Sequence, residues 1–443
     1  MKQGGTAITS PLIKAFFLLN KYMMNIKYVR ENVEKVKQTC KDKGISIDID
    51  SLLALDEKRR KLIKEQEVLR SEQNKLGKED IEKARELKEK QKPLLEELQA
   101  IEKEYNDLML LVPNIQSDDT PVGKDDTENK EVYKWGEVPE FDFPVKSHVE
   151  LGEELDLIDF EKGVKTSGFR GYYLKNELTL VHFALLWHSL LKMVEEGFIP
   201  MFPPTILREF ALVGSGHFPF GKDEVYQIGN PGKLSSGEDI KEPVYLAGTS
   251  EPSLLAYFSD TLFSEKDLPK KVCGFSQCYR SEVGSYGKDT KGLYRVHEFM
   301  KVEQVVLCKA DLKESNEWLE KMKGFSESIL QELELPYRVL QICTGDMGAG
   351  KHKMYDIETW MPSRNGYGET HSDSNLTDWQ SRRLNIKYSE NGEKKYVYAL
   401  NNTVLASPRV LIALMENHQK EDGSIEIPKV LHKYLPFKRI EKA

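Results

Sequence analysis

The chain has 443 residues, 31% of them charged, and a formal charge of −8. It is long enough for two domains, one with a substantial core, and its acidic balance means that any nucleic-acid footprint must be local. Five cysteines (Cys40, Cys273, Cys278, Cys308, Cys343) form no CxxC pair and no ligand-like group with histidine, which argues against a disulfide framework or zinc and for a reducing, cytoplasmic compartment. No apolar run approaches the roughly 18 residues that a membrane span needs.

Residues 1–23 carry no acidic side chain, and Ala15–Leu19 is a short apolar patch. The patch is too short for a secretory signal, no A-x-A site follows, and a matrix-targeting peptide calls for more Arg. The segment is read as a poorly ordered extension or an upstream start, with the folded chain beginning at Met24.

Residues 24–133 are read as a first domain. Between Asp48 and Val112, Leu55, Leu62, Leu69 and Leu76 recur every seven residues. After the Gly77–Asp80 interruption, Leu87, Leu94, Ile101 and Leu108 do the same, with Leu98, Tyr105 and Val112 as a second line. Two apolar seams around a short turn predict an antiparallel two-helix coiled-coil arm of about 40 Å. Polar Arg59, Gln66 and Gln73 between the leucines predict a loosely held distal part, and Pro93 a kink or break. From Lys58 to Lys92 there are thirteen Lys/Arg against eight Asp/Glu. That balance suits a phosphate-tracking surface, and it equally suits a solvated hairpin or a partner-binding coil.

Pro113–Pro144 reads as a linker, and residues 134–443 as the second domain, packed from about Lys146. Helices are predicted at His148–Phe160 and Leu178–Glu196. Gly197–Pro204 is too rich in Pro for a central strand and suits an edge. Strand-like runs (Val244–Leu246, Val272–Phe275, Val302–Leu307, Tyr337–Ile342) then alternate with helical ones (Leu312–Glu334, Leu411–His418). The implied fold class is α+β, a mostly antiparallel sheet with helices on one side.

The stretch Phe275–Glu303, FSQCYRSEVGSYGKDTKGLYRVHEFMKVE, reads as two strands joined by a basic, Gly-rich loop (Gly284, Gly287, Lys288, Lys291, Gly292). Arg280, Arg295 and the loop lysines suit a polyphosphate, and Glu282 and Glu303 can accept from an amine. An ordinary solvated hairpin with cross-strand ion pairs shows the same charges.

FSQCYRSE…RVHEF resembles motif 2 of the class II aminoacyl-tRNA synthetases, and in detail that of seryl-tRNA synthetase. GFIPMFPP resembles motif 1, YLAGTSEPSL the TAE loop, and LNNTVLASPRVLIALMENHQ (about 400–418) motif 3, with YDIETWMPS…YGETHSDSNLTDWQSRRL in the family's place before it. Five blocks in order, over roughly Met24–Leu435, are a specific signal, and no HIGH-type or KMSKS-type motif of the other class occurs. The resemblance implies a class II catalytic domain, a homodimer joined through motif 1, and an arm that grips tRNA-Ser so that tRNA held by one subunit reaches the other's site. It implies a serine–tRNA ligase using ATP and Mg²⁺, with L-serine activated as the adenylate. Charging of tRNA-Sec stays open.

Position by position, the resemblance makes Arg280, Glu303 and Arg409 catalytic. It assigns Arg280, Ser281, Glu282, Arg295, Val296, His297, Glu298, Phe299, Glu369, Thr370, His371, Ser372 and Arg409 to ATP. Within that set, Phe299 and Arg409 cover the adenine faces, Glu282 takes the adenine amine, and Glu369 and Ser372 hold Mg²⁺. Thr249, Ser250, Glu251, Arg280, Glu303 and Thr403 fall to serine. The spacing of His297, His352 and His371 supports no zinc site. TSE, ETHSDSNLTD and LNNTVLASPR replace the family's common TAE, EISSCSNCTD and LNGSGLAVGR, so neighbours of the serine pocket differ. Two other readings are an adenylating ligase that loads a carrier protein, against which the long arm argues, and a non-catalytic synthetase-like coiled-coil protein, against which the retained Arg280, Glu282, Glu303, Glu369 and Arg409 argue.

Overall fold

The computed structural model describes residues 24–77, 79–283 and 291–442. The extension 1–23 and three members of the basic loop, Gly284, Gly287 and Lys288, lie outside the described residues. The chain divides into two compact units between Ile115 and Gln116, so residues 116–133 go with the second. No described helix is long and apolar enough to cross a membrane.

The first unit opens with helices α1 (Ile26–Glu31) and α2 (Val33–Asp42) and continues as a hairpin of α3 (Ile49–Gln73) and α4 (Ile81–Leu111). Asp48 starts α3 by accepting the Ser51 N–H at 3.0 Å, which satisfies a donor the helix cannot pair internally. At its base the hairpin buries Ile49, Leu52, Tyr105, Met109 and Val112 against Val29, Val36 and Cys40. Further out Leu62 meets Leu98 and Ile101, while Leu69, Leu76 and Leu94 are only half-buried. Two sequence expectations need correcting. Pro93 does not end a helix: α4 runs through it, with Pro93 exposed and the apolar seam continuing on the other side. Arg59 does not loosen the seam, because its Nε donates to Glu102 at 3.1 Å and its guanidinium lies 5.2 Å from the Tyr105 ring.

The second unit is built on eight strands: β1 (Lys130–Trp135), β2 (Ile199–Met201), β3 (Lys270–Tyr279), β4 (Glu298–Cys308), β5 (Tyr337–Gln341), β6 (Lys353–Met361), β7 (Gly366–Asn375) and β8 (Tyr398–Ala406). They lie in the order β1-β5-β6-β7-β8-β4-β3-β2. All neighbours are antiparallel except β2 and β3, which are parallel. The stretch expected to be linker alone therefore supplies an edge strand, β1. Trp135 stacks on Tyr337 at 5.7 Å, an apolar anchor masked by the surrounding Asp, Thr and Pro. The Pro-rich Gly197–Pro204 run supplies the opposite edge.

Helices α6 (Asn176–Glu195), α7 (Glu251–Ala256), α8 (Leu312–Glu332) and α9 (Ser407–Asn417) pack on this sheet, and α5 (His148–Glu154) packs on α9. The helix expected over His148–Phe160 stops at Glu154. Asp156 takes φ +55, Ile158 pairs with Leu174, and a new short helix starts at Phe160. The main core joins Leu185, Leu186 and Met193 of α6, Met322 and Ile329 of α8 and Leu411 and Leu414 of α9 to Val302, Val306 and Cys308 of β4. The other sheet face is not bare, as expected from sequence. Leu254 and Leu255 of α7, with Phe258, Phe263 and Leu384, cover Val305 and Leu307.

Candidate active site

Side chains alternate across a strand, and β4 shows what that does here. Val302, Val306 and Cys308 point into the main core. Val305 and Leu307 point to the opposite cluster. Phe299, Lys301 and Glu303 continue that second row where the covering helices stop. All three are less than a tenth exposed; Phe299 and Lys301 line an open cleft, and Glu303 lies beneath it. In register, β3 sets Gly274 against Glu303 and Ser276 against Lys301, while β8 sets Thr403 against Glu303 and Ala406 against Lys301. Glycine at 274 leaves room for Ser250: a Cβ there would meet Ser250 Oγ at 2.7 Å and Ser250 Cβ at 3.0 Å. Its absence lets the Thr249–Glu251 loop settle onto the sheet.

At the Phe299 end the cleft is cationic. Arg280 follows β3, its guanidinium 5.3 Å from the Phe299 ring and its Nε donating to the Gly248 carbonyl at 3.3 Å. The backbone is locked by Arg280 N–H donating to the His297 carbonyl at 2.9 Å, with His297 Nδ1 on the Arg280 carbonyl at 2.9 Å. Glu282, at φ +53, faces Arg295 at 3.4 Å and Arg170 at 3.5 Å. Across the cleft, Arg409 at the start of α9 donates to the Glu369 carbonyl at 2.9 Å and pairs with its carboxylate at 3.0 Å. Its Nε donates to the Tyr294 carbonyl at 3.1 Å, and its guanidinium lies 4.4 Å from the Tyr294 ring. Burial pushes Glu369 up, but Arg409, with Arg280 and Arg295 further off, holds it below the usual carboxylate range. Asp356, cross-strand from Ser372, is pushed well above that range by burial and by Glu369. Burial brings His371 down to about 4, so its ring is neutral, with Nδ1 2.8 Å from Thr370 Oγ1.

At the other end stand two acids, Glu303 at the end of the row and Glu251 in the neighbouring loop and helix start. Glu303 forms an ion pair with Lys301 and accepts from Thr403 Oγ1 at 3.5 Å. Burial raises its pKa against the pull of Lys301. Glu251 is held by two neutral amides, Gln380 Nε2 at 2.5 Å and Asn401 Nδ2 at 2.6 Å, and its N–H donates to Thr249 Oγ1 at 3.4 Å. Among the described residues no group of three His, Cys, Asp or Glu is placed to hold a metal.

Of the residues singled out by sequence, Arg280, Glu282, Val296, Phe299, Glu369, Thr370, His371, Ser372, Thr403 and Arg409 line the one cleft. Thr249, Ser250, Glu251 and Glu303 are buried beside it. Ser281 turns away, its Oγ donating to the Asp223 carbonyl at 2.8 Å. Glu298 accepts from Gln277 at 2.9 Å and, with His297, lines a second hollow beside Phe169 and Arg170. Sequence reasoning passed over Lys301 and Tyr294, which also line the cleft, and Gln380 and Asn401. Lys301 carried a signal, since it alternates with Phe299 and Glu303. Gln380 and Asn401 carried none: they lie 129 and 150 positions from Glu251.

Residues 233–418 match the family model for the tRNA synthetase class II core domain (G, H, P, S and T), and residues 23–116 that for the seryl-tRNA synthetase N-terminal domain. The chain is 40% identical over 427 residues to a serine–tRNA ligase of Rubrobacter xylanophilus, covering 93% of this chain and 98% of that one. Its fold is similar to a seryl-tRNA synthetase from Pyrococcus horikoshii complexed with ATP, with TM-score 0.84, 37% identity, and 95% and 100% of the two chains covered. It is similar, too, to a cytoplasmic serine–tRNA ligase from Naegleria fowleri in complex with AMP, at TM-score 0.83, 30% identity and coverage of 95% and 99%.

Proposed function

The chain belongs to the seryl-tRNA synthetase family and is a serine–tRNA ligase that uses ATP; we propose that its two steps are divided among the residues of the cleft as follows. A serine carboxylate oxygen attacks the α-phosphorus of ATP, the bond to the bridging oxygen of pyrophosphate breaks, and pyrophosphate leaves with that electron pair. A terminal ribose hydroxyl of tRNA-Ser then attacks the seryl carbonyl of the adenylate, the bond from that carbonyl to the phosphate oxygen breaks, and AMP and the hydroxyl proton leave. Two anions approach in the first step, so fixed cations supply most of what a protein can add.

Arg280 bridges the α-phosphate and the serine carboxylate. Adenine lies between Phe299 and the guanidinium of Arg409, with Glu282 accepting from its amine; a planar, permanently charged group suits both stacking and phosphate contact. Arg295 leaves Glu282 to cover the terminal phosphates. Thr249, Glu251, Glu303 and Thr403 take the ammonium and hydroxyl of serine, and rejection of alanine follows from the buried acceptors it would leave unpaired. Glu369 and Ser372 offer hard oxygen donors on the same wall, which suits Mg²⁺ shared with phosphates. Bound there, the ion would neutralise phosphate charge. The observation that carries this reading is that Arg280 and Arg409 line one cleft together with Phe299 and Lys301, with Glu303 paired to Lys301 beside it.

Three further assignments belong to the same proposal. The helical hairpin of the first unit, locally basic on an acidic chain, grips tRNA-Ser by shape and backbone. The enzyme is a homodimer: on α6, Leu180, Phe183 and Trp187 are 46%, 50% and 52% exposed, a helical stripe too apolar to leave in water. Five buried free thiols support a reducing, cytoplasmic setting. Aminoacylation of total tRNA with labelled serine, sorted by species, tests the reading. Label on tRNA-Ser is the expected result, and label on a carrier protein alone would replace it.

A further inference from the structure

Same-face residues of a strand stand about 7 Å apart, and on β4 they run Phe299, Lys301, Glu303. The proposed function seats adenine over the first and serine beside the last. The phosphoryl centre that joins them must then lie over the middle one. Lys301 is 4% exposed and lines the cleft with Arg280. Its cross-strand neighbours Ser276 and Ala406 are small, so the ammonium is not crowded away from the opening. It pairs with Glu303 and sits 3.5 Å from Thr403 Oγ1.

We propose that Lys301 is a further catalytic residue: a cation paired with Glu303 that serine displaces toward the α-phosphate. The inference rests on the serine and adenine seats assigned above. Serine brings its own ammonium to Glu303, which thereby exchanges one cation for another while Lys301 swings a short way along the row. There it meets the charge that gathers on the non-bridging α-phosphate oxygens as the new P–O bond forms and pyrophosphate departs. Lys301 moves no proton and forms no covalent bond. Its contribution is a pre-placed positive charge that needs no counterion from solvent. A buried lysine with the single task of pairing Glu303 would be needed equally before and during reaction. The position between the two substrate seats separates the two roles.

The test is serine-dependent exchange of pyrophosphate into ATP by the full-length enzyme, comparing wild type with Lys301→Met, Lys301→Gln and Lys301→Arg. ATP affinity is measured on each variant to establish that the cleft is folded. The expected result is a fall in kcat of about 100-fold in the Met and Gln variants, KM for serine unchanged or lower because a competing cation is gone, and partial rescue by Arg. A kcat within about twofold of wild type in the Met or Gln variant, or a loss confined to KM for serine, overturns the proposal. If both variants lose ATP affinity, Lys301→Arg decides: wild-type KM with a reduced kcat supports it, and wild-type kcat refutes it. Absence of exchange by the wild-type enzyme would instead remove the seat assignments on which the inference stands.

Discussion

Arg409 is tied to Glu369 twice, through its backbone carbonyl at 2.9 Å and its carboxylate at 3.0 Å. The guanidinium is therefore held in place by the protein itself, bonded to Glu369 and 4.4 Å from the Tyr294 ring. Arg409→Lys keeps the charge but loses the planar fork and the stack. Affinity for ATP, measured by calorimetry, is expected to fall about 10- to 100-fold, the effect of losing one or two well-placed charged hydrogen bonds.

Arg280 is locked through its backbone to His297 and stands over Phe299. Arg280→Ala is expected to lower the rate of serine-dependent pyrophosphate exchange by about 1,000-fold. A loss below tenfold would place the phosphoryl-binding cation elsewhere.

Glu251 owes its position to Gln380 and Asn401. Gln380→Leu leaves a buried carboxylate short of a donor, a cost of about 1–3 kcal/mol. KM for serine is expected to rise about 10-fold or more while KM for ATP stays within about twofold. Steady-state kinetics with each substrate varied in turn distinguishes this from general damage.

The helical hairpin offers a clean truncation. Gln66 and Glu96 lie just beyond the buried trio Leu62, Leu98 and Ile101, so deleting Glu67–Leu95 with a short turn keeps that trio and removes only the half-buried Leu94 from its edge. Pyrophosphate exchange is expected to stay near wild type while tRNA charging falls by about 100-fold, the share of affinity that backbone contacts carry. Equal loss of both activities would show that the hairpin serves the fold rather than the tRNA.

His182, buried between Ser407 Oγ and Met300, is held down to about 4 by burial, against an ordinary value of 6.5. A depressed folded-state value means that the unfolded chain binds more protons between pH 6.5 and 4, so stability is lost as pH falls through that window. The wild type's stability relative to His182→Gln is expected to shrink by about 3 kcal/mol between those limits. Chemical denaturation at pH 7, 5.5 and 4 measures it.

Much of the site could be read from the chain. Arg280 and Glu282 follow β3, and Phe299 and Glu303 lie on β4, its antiparallel neighbour close by in the chain, so the pairing of two nearby strands brings them together, and the blocks carrying Glu369 and Arg409 followed in the expected order. The heptads of α3 and α4 predicted their pairing because period and burial are the same fact in a two-helix hairpin. What failed were the local rules applied without neighbours: Pro93 as a breaker, Arg59 as a loosening residue, Pro113–Pro144 as linker only. Two were overruled by a partner distant in sequence, Glu102 for Arg59 and Tyr337 for Trp135, and Pro93 by the helix continuing through it.

By itself, then, the sequence determined the helical hairpin, the mostly antiparallel sheet and which charged groups a nucleotide would need. These depend on periodicity and residue type, which are properties of short windows. Only the tertiary structure decided which face of β4 stays open, that Lys301 stands between Phe299 and Glu303 in that opening, and that Gln380 and Asn401 hold Glu251. Those outcomes depend on where α7 stops covering the sheet and on how strands far apart in the chain come into register, and neither is encoded in any local stretch.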